Sequence, residues 1–193
     1  MRAGMAKLLP DFASIIRATA PALTYTARPS RQRRAFIRYP PPVSIIHWED
    51  FIAGSVAEYG PRRVTREEII AFAAEFDPQP MHMDEDFART TMLGGLAASG
   101  WHTCAIGMRL IVDGFMGNSA SIGSPGIDEV RWLKPVRPDD ELTLRRTVLE
   151  TRPLKSRPEW GLVRFRFELV NQSGEVVLIQ ENVNLFGRRE VRA

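Results

Sequence analysis

Residues 99–114 carry Ala105, Ile106, Met108, Leu110, Ile111 and Val112 at spacings that spread apolar side chains most of the way round a helix. A helix of that kind has no polar face to give to water and must be wrapped by other structure. The chain downstream can supply the wrapping. Residues 129–133 and 142–148 alternate, and in 162–170 Val163, Phe165, Phe167 and Leu169 share one face. Asn171-Gln172-Ser173-Gly174 reads as a hairpin turn into a last strand over 176–186. A sheet is the only large surface available to that helix. The expected class is α+β, a curved antiparallel sheet wrapped around a central buried helix.

The segments before that helix are shorter. Residues 45–56 are rich in aromatic and β-branched types and read as an edge strand, with His47 early in it, and Gly60-Pro61 reads as a turn. Thr65 with Glu68 three positions on forms a capping box. Ile69, Ile70, Phe72, Ala73 and Phe76 then recur at helical spacing, so a helix is expected over 66–76, ended by Pro78 and Pro80. Asp84 can cap a second short helix containing Phe87, Ala88 and Met92, broken by Gly94-Gly95.

Charge is distributed unevenly. Residues 1–46 hold eight basic residues and one acid, Asp11, which leaves 18 basic and 22 acidic residues in the remainder. The overall +3 is therefore a property of the N-terminal segment, and no aromatic-interleaved basic patch recurs to suggest nucleic-acid binding. Residues 1–44 read as a basic, flexible extension, with translated sequence upstream of the start or an Arg-rich targeting peptide as the other readings. Residues 45–193 read as one domain. One cysteine, Cys104, excludes an intrachain disulfide and fits a reducing, cytoplasmic setting. No run of about eighteen apolar residues suggests a membrane helix.

The chemistry concentrates between residues 77 and 102. Asp77-Pro78-Gln79-Pro80-Met81-His82 holds an acid and an imidazole five apart in a loop that two prolines stiffen. An aspartate near a histidine can orient the ring and tune proton transfer near neutral pH. Asp77 can equally cap the helix that follows, with His82 a structural histidine. Gly100 opens the central helix, where a bare N–H with the helix dipole behind it can polarise a carbonyl as its oxygen gains charge. Close helix-on-sheet packing is the alternative reason for that glycine. Ser99 reads as the helix cap, since no Gly-x-Ser-x-Gly elbow surrounds it. His102 reads as a polar neighbour of the pocket mouth, His47 as structural, and Cys104 as core. The three histidines lack metal-ligand spacing, so no metal or other cofactor is expected.

The string from Phe72 to Asp84, with Asp77, Pro80 and His82 in register, resembles the hydratase signature of the MaoC-like dehydratases, the group of the (R)-specific enoyl-CoA hydratases. Phe87-Ala88-Arg89, 95–100, His47-Trp48-Glu49-Asp50-Phe51 and the run from Trp132 to Asp140 extend the resemblance over about residues 45–186. It implies a hot-dog fold, a homodimer or higher homo-oligomer, and reversible hydration of a trans-2-enoyl-CoA to a 3-hydroxyacyl-CoA. It also implies that Asp77 and His82 form the catalytic pair and that Gly100 holds the thioester oxygen. Gln79 stands where the family carries Asn, and Ser99 where many members carry His. Both lie beside the expected pocket and bear on the substrate, with a short branched or dicarboxylic acyl group as one reading. A hot-dog thioesterase and a non-catalytic acyl-thioester-binding subunit are the rival functions. Lys134 and Arg137 are candidates for meeting the CoA phosphates.

Overall fold

The computed structural model describes residues 45–189, so the reading of residues 1–44 lies outside the described residues. After a single 3-10 turn at Trp48–Asp50, strand β1 (Val56–Arg63) leads into helix α1 (Arg66–Phe76). Two short helical turns follow, α2 (Pro80–Met83) and α3 (Glu85–Arg89), and then the long helix α4 (Gly100–Gly114). Strands β2 (Ser121–Gly123), β3 (Ile127–Trp132), β4 (Glu141–Pro153), β5 (Trp160–Val170) and β6 (Val176–Gly187) complete the chain. The sheet order is β1-β4-β5-β6-β2, with β3 also paired to β6, and these strand pairings are all antiparallel. The α+β expectation holds, with α4 as the central helix.

Alternation does what the sequence pattern requires. In β5, Val163, Phe165, Phe167 and Leu169 are buried, and Leu144 and Val148 of β4 stand opposite Leu169 and Phe165. α4 lies on this face. Its Gly107 faces the Leu169 side chain, at a spacing that would still accept a Cβ in ordinary van der Waals contact. Ile106, Leu110 and Ile111 of α4 are buried with Leu142, Leu144, Phe165, Phe167 and Leu169 in one cluster.

The structure corrects several local expectations. β1 is not at 45–56. It runs through Gly60-Pro61, where a turn was expected, with a register shift between Tyr59 and Arg62. The strand lies at the sheet's edge, where a residue without an N–H costs little. Thr65 caps α1 by accepting from the Glu68 N–H at 3.2 Å, but the box is half made. The Glu68 carboxylate turns instead to Arg62, at 2.9 and 3.2 Å. Asp84 caps α3 through the Phe87 N–H, yet that helix stops at Arg89 and leaves Met92 almost fully exposed. α4 is buried on one side only, because Trp101 and Met108 stand about half open. No described helix is long and apolar enough to cross a membrane.

Candidate functional site

Asp77 is the residue on which α1 ends, its N–H bonded to the Ala73 carbonyl at 2.9 Å. Pro80 does not merely stop that helix. Its fixed φ and missing N–H suit the first position of α2, a turn that was not expected from the sequence. That turn lifts His82 inward, where it is 8% exposed. His82 Nδ1 meets the Ala97 carbonyl oxygen at 2.9 Å. A carbonyl only accepts, so Nδ1 carries a proton and Nε2 is the ring nitrogen left facing the site.

Nε2 faces Asp77 Oδ2 at 3.7 Å, too far for a direct hydrogen bond. The carboxylate is held by other groups. The Ser99 hydroxyl donates to Oδ2 at 2.6 Å and the Gln79 amide donates to Oδ1 at 2.6 Å. Those two bonds, the Ser99 one first, hold the Asp77 carboxyl below its ordinary value of 3.8 against a smaller desolvation that raises it. Asp77 is therefore ionised at neutral pH and its proton-accepting edge points at the histidine.

Ser99 also caps α4, its Oγ accepting from the Trp101 N–H at 3.3 Å. Gly100 begins the helix, so its N–H has no acceptor within α4. The Gly100 carbonyl accepts from Trp132 Nε1 at 2.9 Å. A Cβ on residue 100 would stand 2.7 Å from the Trp132 indole, which makes glycine a steric requirement of this contact. Asp77, Gln79, His82, Ser99 and Gly100 all line one cleft of about 500 Å³. Its other walls are mainly apolar, from Met81, Met92, Leu93, Trp101, Trp132, Leu133 and Val136.

All five expected site residues thus converge, from α1, α2 and the start of α4. His102 does not join them. It is buried, stacks on Phe72 at 4.7 Å with an interplanar angle of 10°, and is kept neutral by burial. Two residues beyond Gly100 on a helix is a different face, and that face packs under α1. Lys134 and Arg137 are likewise committed. Lys134 pairs with Glu175, and Arg137 donates to the backbone carbonyls of Leu93, Gly95 and Leu96. The guanidinium is half-buried in its own fold and is not directed at a phosphate. His47 lies outside the cleft, with its N–H on the Asp50 carboxylate at 2.9 Å. Ala97 as the partner of His82 was not readable, since fifteen residues and no local pattern separate them. The Trp132 lid on Gly100 was hidden in the same way, although a tryptophan ending a strand beside a proline turn is a signal worth heeding.

The arrangement sets two proton acceptors side by side, a carboxylate and an imidazole nitrogen, next to the amide that begins a helix and has no acceptor within it. It can hold a water by both acceptors, take a proton from it, and stabilise negative charge on a nearby oxygen.

The MaoC-like domain model matches residues 51–160. The YdeM protein of Bacillus subtilis is 34% identical over 142 residues, covering 73% of this chain and 98% of that protein. The crystal structure of the MaoC-like dehydratase from Rhodospirillum rubrum superposes with a TM-score of 0.70 at 43% identity, over 76% of this chain and 99% of that one. The (R)-hydratase PhaJ1 from Pseudomonas aeruginosa in its unliganded form gives a TM-score of 0.60 at 25% identity, over 77% and 92%. The chain belongs to the MaoC-like domain family of dehydratases and (R)-hydratases, and has that family's hot-dog fold.

Proposed function

We propose that the protein is an acyl-thioester hydro-lyase that adds water reversibly to a trans-2-enoyl-CoA, giving a 3-hydroxyacyl-CoA. One observation carries the reading. Asp77 Oδ2 and His82 Nε2 face each other at 3.7 Å as two acceptors, a gap that one water can bridge by donating to both. In the hydration direction that water's oxygen bonds to C3 while the pair takes its proton. The C2–C3 π electrons move toward the thioester carbonyl, whose oxygen becomes an enolate held by the Gly100 N–H. One member of the pair then returns a proton to C2, which restores the carbonyl and completes the addition of water. Gln79 and Ser99 hold the carboxylate ionised and aimed.

The cleft walls favour an apolar acyl group over a dicarboxylic one. Lys134 is the one cation among the lining residues, and Glu175 already neutralises it. A carboxylate tail in that cleft would be desolvated without a partner. The site also fits a homodimer. Trp101 on α4 and Trp132 at the end of β3 are exposed apolar side chains in edge-to-face contact, with ring centroids 5.6 Å apart. Both also line the cleft, so a second copy covering them would complete the cleft wall.

The test is a panel of trans-2-enoyl-CoA thioesters. Loss of the conjugated enoyl absorbance, with one stereoisomer of the 3-hydroxyacyl product, is the expected result. Release of free CoA thiol instead identifies a thioesterase, and tight binding without either change identifies an acyl-thioester-binding subunit. Both outcomes reject the hydro-lyase.

A further inference from the structure

Segment 93–99 is irregular, yet Leu96, Ala97, Ala98 and Ser99 are buried. Buried backbone carbonyls need donors, and those of an irregular segment cannot find them in a helix or ladder. Arg137 supplies donors to three carbonyls of the segment. Its Nη1 donates to Gly95 O at 2.6 Å and to Leu96 O at 3.1 Å, and its Nη2 donates to Leu93 O. The next residue back completes the hold, because Val136 O accepts from the Ala98 N–H at 2.9 Å. The peptide unit joining Ala97 to Ala98 is therefore bonded at both ends. Its N–H goes to Val136, and its carbonyl oxygen meets His82 Nδ1 at 2.9 Å. Arg137 itself is fixed by its own N–H on Asp140 Oδ2 at 2.7 Å.

We propose that Arg137 is a positioning residue, clasping segment 93–96 so that the Ala97 carbonyl holds His82 in its Nδ1–H form with Nε2 open to the cleft. A planar guanidinium with five fixed donors can fork to three carbonyls at once, which a lysine ammonium on a flexible stem cannot reproduce. Without the clasp, segment 93–96 loses three donors, the Ala97 carbonyl shifts, and the ring is free to take the Nε2–H form. That form turns an N–H toward Asp77 and withdraws the lone pair from the cleft. The catalytic consequence rests on the hydro-lyase reading, but the state of the ring does not.

The experiment uses the full chain labelled with ¹⁵N-histidine, as the parent, Arg137→Lys and Arg137→Gln, with the His82 signals assigned by their loss in His82→Gln. At alkaline pH the parent is expected to show a protonated Nδ1 and a bare Nε2. Both variants are expected to shift toward a protonated Nε2, with kcat on the enoyl thioester falling about tenfold or more and KM moving much less, since displacement by about an ångström is costly to the chemical step. Folded variants in which His82 keeps a protonated Nδ1 overturn the proposal. So does failure of both variants to reach the parent's far-ultraviolet circular dichroism, because Arg137 would then be a requirement of the fold and not of the ring. If the parent hydrates no enoyl thioester, the proposed function fails and the nitrogen signals alone decide the clasp.

Discussion

The two ends of α4 are built from opposite materials. At its start, Ser99, Gly100, Asp77 and His82 form a polar cluster in which each side chain has a specific partner and every bond has a direction. At its end, Phe115 packs with Phe51, Tyr59, Phe165 and Phe167 at centroid distances of 5.6–6.4 Å. Over these rings lies the Arg146 guanidinium, 4.7 Å from the Phe115 centroid and within 6 Å of those of Phe51, Tyr59 and Phe165. Its Nε is buried with no hydrogen-bond partner among the described residues. The aromatic end gains its stability from contact area and tolerates an imperfectly paired charge, with ring faces standing in for a carboxylate. The cleft end gives up apolar area and relies on geometry. Damage at one end should be read as stability and damage at the other as chemistry.

The largest effect should come from the aromatic end. Phe165 is fully buried against Phe51, Phe167, Phe115 and Phe186, so Phe165→Ala should cost about 3–5 kcal/mol in a urea titration. The fraction still folded in the cold should keep the parent's kcat. A folded variant with collapsed turnover would erase the contrast between the ends.

His82→Gln or Asp77→Asn should do the reverse, cutting kcat about a hundredfold or more with a small change in urea midpoint. Retention of near-parental turnover by both would remove this pair from the chemistry. Gly100→Ala should fall between the two. A Cβ there meets the Trp132 ring at 2.7 Å, so the indole must shift, at about 1–3 kcal/mol. Tryptophan fluorescence should report the displaced ring, and KM should rise with it. An unchanged spectrum and KM would mean that the indole is not a fixed wall of the cleft.

Ser99→Ala removes the α4 cap, at about 1 kcal/mol of stability, but its diagnostic readout is the pH profile. It removes the stronger of the two bonds that hold the Asp77 carboxyl down, so that carboxyl should move back up toward 3.8. The acid limb of kcat/KM should then move to higher pH. The linked stability follows the same sign. With a depressed folded value, Asp77 contributes stability above its ordinary value and loses it as pH falls through the lowered one, and the variant should have less of this to lose. An acid limb that stays in place would show that another group governs it. The smallest effect is expected for Arg146→Met, within about 1 kcal/mol of the parent, since the variant trades aromatic–cation contacts for relief of an unpaired donor. A loss of several kcal/mol would reveal that the guanidinium is better satisfied than its neighbours suggest.

What was legible follows from how local each cause is. α1 was readable over 66–76 because its cap at Thr65 and its apolar spacing are both carried by adjacent residues. β5 was readable because alternation alone determines which of its side chains face inward. The convergence of Asp77, His82, Gln79, Ser99 and Gly100 was readable as a motif, and Asp77–His82 in particular because prolines limit the loop between them. β1 was misplaced because Pro61 argues against a strand everywhere except at an edge, and edges are defined only after the sheet exists. His102 was misjudged because helical spacing says which residues share a face but not what that face will meet.

The sequence by itself determined α1, the central helix, the long strands after residue 128 and the chemical groups available to the cleft, since periodicity, caps and proline act within a few residues. Only the tertiary structure decided which of those groups work together. The Ala97 carbonyl that sets the His82 proton, the Arg137 clasp behind it and the Trp132 ring on Gly100 join residues 15 to 44 positions apart. Contacts at that separation have no local signature, because they depend on how finished elements pack and not on how any one of them forms.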